Sequence, residues 1–370
     1  MEIETIINQK SEIIDKKLKE LINTWMGNKF YDTANYIIEA GGKRYRPILT
    51  LLACEAVGGN QLEALNSASA IELIHTGSLL WDDIIDQDEL RRGKIAVHKK
   101  WDVNTAILAG AYFTSKALEL CTDHPQILEP MLKTVSKLVE GEIIDISTSI
   151  YNIENETRGQ PIFESRVEAD IFDTLKDRVK NNIFKGLKWE KRSDYKTIAK
   201  ISESTEEANY FGIIANKSAS LIKLAAKVGA IIGGGSKEDI NALGEYGLYL
   251  GLAFQIKDDL LGLTSKPEVL GKPIGKDLQK GKLTLYLIHA LRNLEEEEIE
   301  EFLELHKDAQ NPKNLTKIIE IFKKLGSITY AQQKAKLLIK KIVDILDDLE
   351  NPEYKEILKS FANFTIERIK

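Results

Sequence analysis

"ALNSASAIELIHTGSLLWDDIID", residues 64–86, is the stretch on which the fold turns. Its apolar residues recur at three- and four-residue spacing with no alternating run, which is the period of a helix and not of a strand. The last turn then becomes acidic with Asp82, Asp83 and Asp86. Residues four apart share a helix face, so Asp82 and Asp86 project together while Asp83 stands about 100 degrees round. Like charges at this spacing repel, and more so where water is partly excluded. A long apolar helix tipped with carboxylates therefore needs a core around its body and a cation at its end.

The same helical period runs outward through "PILTLLACEAV" (47–57), "YAQQKAKLLIKKIVDILDDL" (330–349) and "YKEILKSFANFTIERI" (354–369). The chain is predicted to be all-α. Few of its 8 prolines interrupt these runs. Pro47 sits in a predicted first helical turn and Pro273 in the Gly-rich link "EVLGKPIGKDLQKGK". "EEEEIEE" (295–301) reads as the solvated start of a helix. With 370 residues, 43% of them hydrophobic, the chain can bury a large core. No linker or fixed-period repeat divides it, so one domain over 1–370 is predicted. The exception is about 151–204, which opens with the polar "YNIENETRGQ" and then places Phe163, Val167, Ile171, Leu175, Val179 and Ile183 every fourth residue. It is predicted to be a helical insertion whose stripe packs on the main body or on a partner chain.

Composition excludes several function classes. Against 51 basic residues stand 57 acidic ones, a net charge of -6, which offers nucleic acid and anionic lipid no global attraction. Any anion site must be local. No apolar run reaches the roughly 18 residues of a membrane span, the N-terminus lacks the pattern of a signal peptide, and Cys54 and Cys121 are the only cysteines. A soluble, cytoplasmic protein is expected.

The acidic ending occurs twice. In "YGLYLGLAFQIKDDLLG" (246–262) a mostly apolar run leads into Asp258 and Asp259. Carboxylates without clustered His or Cys favour Mg²⁺ over Zn²⁺, and Mg²⁺ commonly completes its shell with water and substrate phosphate. Basic clusters provide the complement. "GGKRYRP" (41–47) sets Lys43, Arg44 and Arg46 beside two glycines ahead of a helix start, Arg91 and Arg92 precede Gly93, and "GKPIGKDLQKGK" (271–282) supplies lysines. Guanidinium groups suit bidentate contacts to phosphate oxygens and lysines add point charges. Acidic and basic sets around apolar helices describe a ligand with a metal-bridged diphosphate head and a hydrocarbon tail.

The order of these motifs resembles that of the all-trans (E-type) isoprenyl diphosphate synthases. "GGKRYRP", "ELIHTGSLLWDDIIDQDELRRG", "HKKWDVNTAILAG", "FQIKDD", "GKPIGKDLQKGKLTL" and "GSITYAQQKAKLLI" carry the resemblance over most of the chain. It implies a single large helical bundle around a central cavity, commonly a homodimer, using Mg²⁺ at about three ions per active site. It also implies condensation of isopentenyl diphosphate with an allylic diphosphate to give a longer all-trans prenyl diphosphate. Residue by residue, Asp82, Asp86 and Asp258 correspond to metal ligands, with Asp83 and Asp259 beside them. Arg91, Lys217, Ser218, Gln255, Lys272 and Lys282 correspond to the allylic diphosphate site, and Lys43, Arg46, His75 and Arg92 to the isopentenyl diphosphate site. Asp82, Asp83, Asp86, Lys217, Gln255 and Asp258 are the expected catalytic set.

Whole helical turns back from Asp82 reach Ser78, Ile74 and Ile71, with Gly77 beside Ser78, so these residues are predicted to line the path of the tail. Aromatic residues at the places of Gly77 and Ser78 stop growth early in the family. The small residues here leave room for a product of geranylgeranyl length or longer, with Ile74, Ile71, Tyr112 or Phe113 closing the floor. The chain departs from the family pattern at Gly262, where an aspartate usually ends the second acidic motif, and at Trp81, Ala111, Glu142 and Ser218. A terpene cyclase is disfavoured because no Asn/Ser/Glu motif of that class is found and "GGKRYRP" would have no use there. A regulatory subunit recruiting a partner through 151–204 is the other alternative, favoured by Gly262 and disfavoured by the retention of both diphosphate sites.

Overall fold

The structure, a computed structural model, describes residues 2–25, 27, 29–147, 195–264, 275–347 and 349–367. The stripe at 163–183, Lys272 and Pro273 lie outside these residues. As predicted, the described residues are all-α apart from one two-stranded hairpin. It groups into two compact units, the first Met1–Leu138, Ala219–Gly251 and Ile339–Arg368, the second Val139–Ser218, Leu252–Leu338 and Ile369–Lys370.

In the first unit α1 (Ile3–Asn23), α2 (Tyr31–Glu39) and α3 (Tyr45–Ala56) precede the long α4 (Gln61–Ile85). The strands β1 (Leu90–Arg91) and β2 (Lys94–Ile95) follow, then α5 (Val97–Lys100), α6 (Val103–Glu119) and α7 (Pro125–Ser147), whose residues from Val139 on belong to the second unit. The quoted stretch lies wholly inside α4 and its cap. Asn60 opens that helix by accepting from the Leu62 N–H, as its short polar side chain favours. Thirteen α4 residues are buried, among them Ala64, Ala68, Ala70, Ile71, Leu73, Ile74 and Leu80. Burial on nearly all sides identifies α4 as a central helix. It packs against α3 and α6, and Ser220–Ile232, named α10 below, packs on both α3 and α4. Small residues permit these approaches. A Cβ on Gly77 would lie 2.9 Å from the Gly110 carbonyl oxygen of α6, and one on Gly229 would overlap the Thr50 carbonyl of α3.

In the second unit α8 (Tyr195–Ile201) and α9 (Thr205–Ile214) lead into a single π-turn at Ala215–Ala219, after which α10 begins. The helix α11 (Lys237–Thr264) bears the second acidic ending. It is followed by α12 (Lys276–Gln279), α13 (Leu285–Asn293), α14 (Glu296–Lys307) and α15 (Pro312–Lys324). The acidic run at 295–301 starts α14 as predicted, with Glu295 and Glu298 forming a capping box. Tyr286, Phe302 and Phe322 form the aromatic centre, with Phe322 at 5.2 Å from Tyr286 and 5.8 Å from Phe302 between ring centroids. The helices α16 (Ser327–Leu346) and α17 (Pro352–Glu367) close the chain.

Candidate active site

At the end of α4 the three aspartates divide. Asp83 is buried at 2% exposure, whereas Asp82 and Asp86 are half-buried. The Arg91 guanidinium donates to Asp83 through Nε at 2.6 Å and through Nη2, and Nη2 also reaches Asp88 at 3.2 Å. Burial alone would lower the pKa of Arg91, but Asp83, Asp88 and Asp82 outweigh it and raise it. The hairpin aims this side chain. Leu90 and Arg91 pair with Ile95 and Lys94, and the two residues between them, Arg92 and Gly93, both have positive φ, 53° and 75°. That is the mark of a type I′ turn, whose twist suits a hairpin and whose second residue favours glycine. The "RRG" of the sequence is therefore a turn as well as a charge cluster.

The basic residues of 41–47 also divide. Arg44 is buried in the left-handed region at φ 52°. It donates to Asp15 at 2.8 Å, to Glu72 at 2.6 Å and to the Ile38 carbonyl at 3.3 Å. It holds α1, α2 and α4 together. Arg46 approaches His75 Nε2 at 3.1 Å. His75 is held well below the usual histidine range by burial first, then by Arg46, Arg92, Arg91 and Arg44, so its ring is neutral at pH 7. Arg92 donates to the Gly41 carbonyl and covers Gly42, where any Cβ would come within 2.8 Å of the guanidinium. Lys43 is exposed, 5.8 Å from the Tyr45 ring. Arg46 thus stands beside His75, and the charge of Arg92 also bears on that ring. Glu72, which faces both Arg44 and Arg92, was not singled out by the sequence because it looks like any polar residue in an apolar run.

In the second unit the adjacent pair at the end of α11 divides in the same way. Asp258 is exposed and Asp259 is buried. Asp259 accepts from Tyr210 Oη at 2.8 Å, from Gln255 Nε2 at 2.9 Å and from Lys282 Nζ at 3.1 Å. Burial pushes Asp259 up while Lys282 pulls it down. Burial alone would lower Lys282, but Asp259, Asp277 and Asp145 hold its ammonium well above the usual lysine range. Ser218 donates to the Gln255 side-chain oxygen at 2.6 Å, which extends this network to the π-turn. Lys217 on the same turn meets Glu142 at 2.6 Å and Asp145 at 2.7 Å. Burial would raise Asp145, but Lys217, Lys282 and Lys280 outweigh it and hold it low. Gly141 makes the contact possible, since a Cβ there would lie 2.5 Å from the Lys217 backbone nitrogen. Tyr210 and Asp145 could not be found from sequence, because neither belongs to a charged motif.

The predicted tail-lining residues differ among themselves. Ile71 and Ile74 are buried and Ser78 is half-buried, its hydroxyl donating to the His75 carbonyl at 2.9 Å. A Cβ on Gly77 would point at the Gly110 backbone, so the smallness of Gly77 permits the α4–α6 crossing. Trp81 lies over Gly110 and donates to the Ile107 carbonyl at 3.3 Å. Tyr112 and Phe113 join Trp25, at 5.2 and 5.8 Å between centroids, and Tyr112 also stacks on Phe30 at 5.6 Å.

Among the described residues no three His, Cys, Asp or Glu side chains converge into a metal cage. One or two carboxylates plus phosphate oxygens is the arrangement Mg²⁺ usually takes. Among the described residues no helix is long and apolar enough to cross a membrane.

The profile of the polyprenyl synthetase family matches residues 28–165 and 168–324. A short chain isoprenyl diphosphate synthase of Methanothermobacter thermautotrophicus is 35% identical, the alignment covering 100% of this chain and 99% of that one. The crystal structure of geranylgeranyl pyrophosphate synthetase from Pyrococcus horikoshii Ot3 superposes with a TM-score of 0.76 at 36% identity, covering 99% and 98% of the two chains. That of a polyprenyl synthase from Caulobacter crescentus CB15, complexed with calcium and isoprenyl diphosphate, gives 0.77 at 26% identity, covering 100% and 98%.

Proposed function

The chain belongs to the polyprenyl synthetase family and is a prenyl diphosphate synthase, and from that premise we propose which of its residues act and on what. The substrates are isopentenyl diphosphate and an allylic diphosphate, and the product is an all-trans prenyl diphosphate of geranylgeranyl length or longer. One observation carries the assignment of residues. In both adjacent aspartate pairs the second carboxylate is buried against a cation, Asp83 against Arg91 and Asp259 against Lys282, while the first, Asp82 or Asp258, keeps its solvent exposure. One carboxylate anchors a base and the other is presented to a ligand.

Asp82, Asp86 and Asp258 are the proposed Mg²⁺ ligands, at about three ions per active site. Their oxygen-only donor set fits that ion. When bound, the metal supplies positive charge that stabilises the departing diphosphate. Arg91 and Lys282, aimed by Asp83 and Asp259, together with Lys217 and Lys272, hold the allylic diphosphate. Lys43, Arg46 and Arg92 hold isopentenyl diphosphate, and neutral His75 offers it a dipole without a competing charge. Ser218 and Gln255 place a fixed polar pair near the allylic carbon as positive charge develops there. The isopentenyl double bond attacks that carbon, and a proton passes to the released diphosphate, which leaves the tail one isoprene unit longer. Ile71, Ile74 and Ser78 line the tail's path and keep water from it.

The chain is further proposed to act as a homodimer in the cytoplasm. Exposed Val103, Ile107 and Leu108 on α6, and exposed Leu132, Val139 and Ile143 on α7, form apolar stripes of the kind that monomers seldom expose. Both cysteines are buried free thiols, which suits a reducing compartment. The segment 151–204 is proposed as a helical insertion of the single catalytic domain and as a surface for a partner.

The test is turnover by the purified chain with isopentenyl and farnesyl diphosphates and Mg²⁺, the product being sized. Extension to geranylgeranyl length or beyond, abolished by chelator, is expected. A strict farnesyl end point would remove the length assignment, and no turnover at saturating Mg²⁺ would favour the regulatory-subunit reading that Gly262 suggests.

A further inference from the structure

The run "GSITYAQQKAKLLI" (326–339) carries part of the family resemblance, yet the proposed site uses none of its residues. Three of them, Ser327, Tyr330 and Lys334, stand at three- and four-residue spacing on one face of α16. Within the second unit they turn to α13 and to the chain from Ile201 to Glu207. Ser327 Oγ meets His289 of α13 at 3.0 Å, and that ring lies 4.3 Å from the Tyr330 ring between centroids. Lys334 donates to the Ile201 carbonyl at 3.0 Å and meets Glu203 at 2.7 Å. The centre of the cluster is Glu207, in the first turn of α9 and 1% exposed. One of its oxygens accepts from Tyr330 Oη and faces Arg292 of α13 at 3.6 Å, while the other faces Lys334 at 3.3 Å and accepts the Glu203 N–H at 3.0 Å. Burial, then Glu207, pushes the Tyr330 phenol up, so it stays a donor. A buried carboxylate is costly unless its oxygens are met. Both are met here, and so complete a network admits one placement of the helix where apolar contacts alone would tolerate small shifts. That placement matters three residues on. Buried Tyr210 donates to Asp259 at 2.8 Å, and Asp259 accepts from Lys282 at 3.1 Å. The same helix then runs into the π-turn that bears Lys217 and Ser218.

We infer that Glu207 is a positioning residue for the condensation: held by Tyr330, Lys334 and Arg292, it fixes α9 so that Tyr210 aims Asp259 and Lys282 and the π-turn presents Lys217 to the allylic diphosphate. This rests on the assignment of Lys217 and Lys282 to that diphosphate. The run at 326–339 thus serves substrate binding without touching substrate.

Steady-state kinetics of the full chain, with farnesyl and isopentenyl diphosphates varied in turn, tests the inference. Glu207→Gln should raise KM for farnesyl diphosphate on the order of tenfold. KM for isopentenyl diphosphate should not change, because Lys43, Arg46, His75 and Arg92 lie in the other unit. Tyr330→Phe removes one hydrogen bond and keeps every charge, so a smaller rise of about threefold in the same KM is expected. Tyr210→Phe should raise it as well, and the Glu207→Gln/Tyr210→Phe double variant should fall short of the product of the two single effects, since one residue acts through the other. A variant that is merely less stable supplies fewer active molecules, which lowers the apparent kcat and moves neither KM. Thermal denaturation identifies any unfolded variant, and Tyr330→Phe carries the measurement should Glu207→Gln not fold. The inference is overturned by a lowered kcat with both KM values unmoved, by equal rises in both, by fully multiplicative effects in the double variant, or by loss of folding in both Glu207→Gln and Tyr330→Phe, which would make the cluster structural only. Failure of the underlying assignment reads differently: Lys282→Ala would then leave KM for farnesyl diphosphate at the parent value.

Discussion

Two aspartates side by side in the sequence can have opposite tasks, and burial separates them. Asp83→Asn removes the counter-charge of a part-buried Arg91 and is expected to cost about 2 kcal/mol of stability, seen as a lowered melting temperature. Asp82→Asn, at a half-exposed position, should leave the melting temperature within a degree or two while abolishing turnover. If the two variants lose stability equally, the division between anchor and ligand is wrong. Histidines add a pH dependence. Burial depresses His306 to about 4, and burial with four arginines holds His75 well below its ordinary 6.5. Both rings are neutral above pH 6.5, folded or unfolded, so stability is complete there. Below it the unfolded chain binds protons that the folded chain refuses, and stability falls as the pH drops from 6.5 toward 4. His306→Leu should flatten this decline by up to about 3 kcal/mol in denaturant melts at pH 7 and pH 4.5. An unchanged slope would contradict the burial of that ring.

Between elements, the crossing of α4 and α6 depends on Gly77 meeting Gly110. Gly77→Ala puts a methyl 2.9 Å from a carbonyl oxygen and should destabilise the chain by about 1–3 kcal/mol through overpacking. Gly77→Phe would then be a folding lesion before it could be a plug in the tail's path. Ser78 is half-buried with its hydroxyl turned back to the His75 carbonyl, so Ser78→Phe is the substitution expected to shorten the product with the fold retained. Equal melting temperatures for Gly77→Ala and the parent, or an unchanged product from folded Ser78→Phe, would each reject its half of this claim. The π-turn at 215–219 is a further device at this scale. It carries Lys217 and Ser218 on consecutive residues to different partners, the carboxylates of α7 and the amide of Gln255.

For the molecule as a whole, the apolar stripe of α6 is the feature that α6's own unit does not cover. Leu108 is 56% exposed, and a stable pairing through such a face needs on the order of 1,600 Å² of buried surface. Leu108→Glu is expected to convert a dimer to monomer in sedimentation equilibrium, while Ser360→Glu, at an exposed position of α17, should not. A monomeric parent chain would remove the homodimer from the proposed function.

By itself the sequence determined the helical class, because apolar period and cap residues are local properties: 64–86 had to be a helix, and Asp82 and Asp86 had to share a face. It also determined the family, whose motifs lie in contiguous runs. Tertiary structure alone decided what each charge touches. Arg44 and Arg46 are two residues apart and alike in type, yet one is locked between Asp15 and Glu72 while the other meets His75. The neighbours of Asp259, namely Tyr210 and Lys282, come from far along the chain. That Gly77 is a contact between helices is seen only once α6 is packed on α4. Helix period is set by the backbone within a few residues, whereas the partner of a buried charge is set by which distant segments pack against it, and no local pattern encodes that.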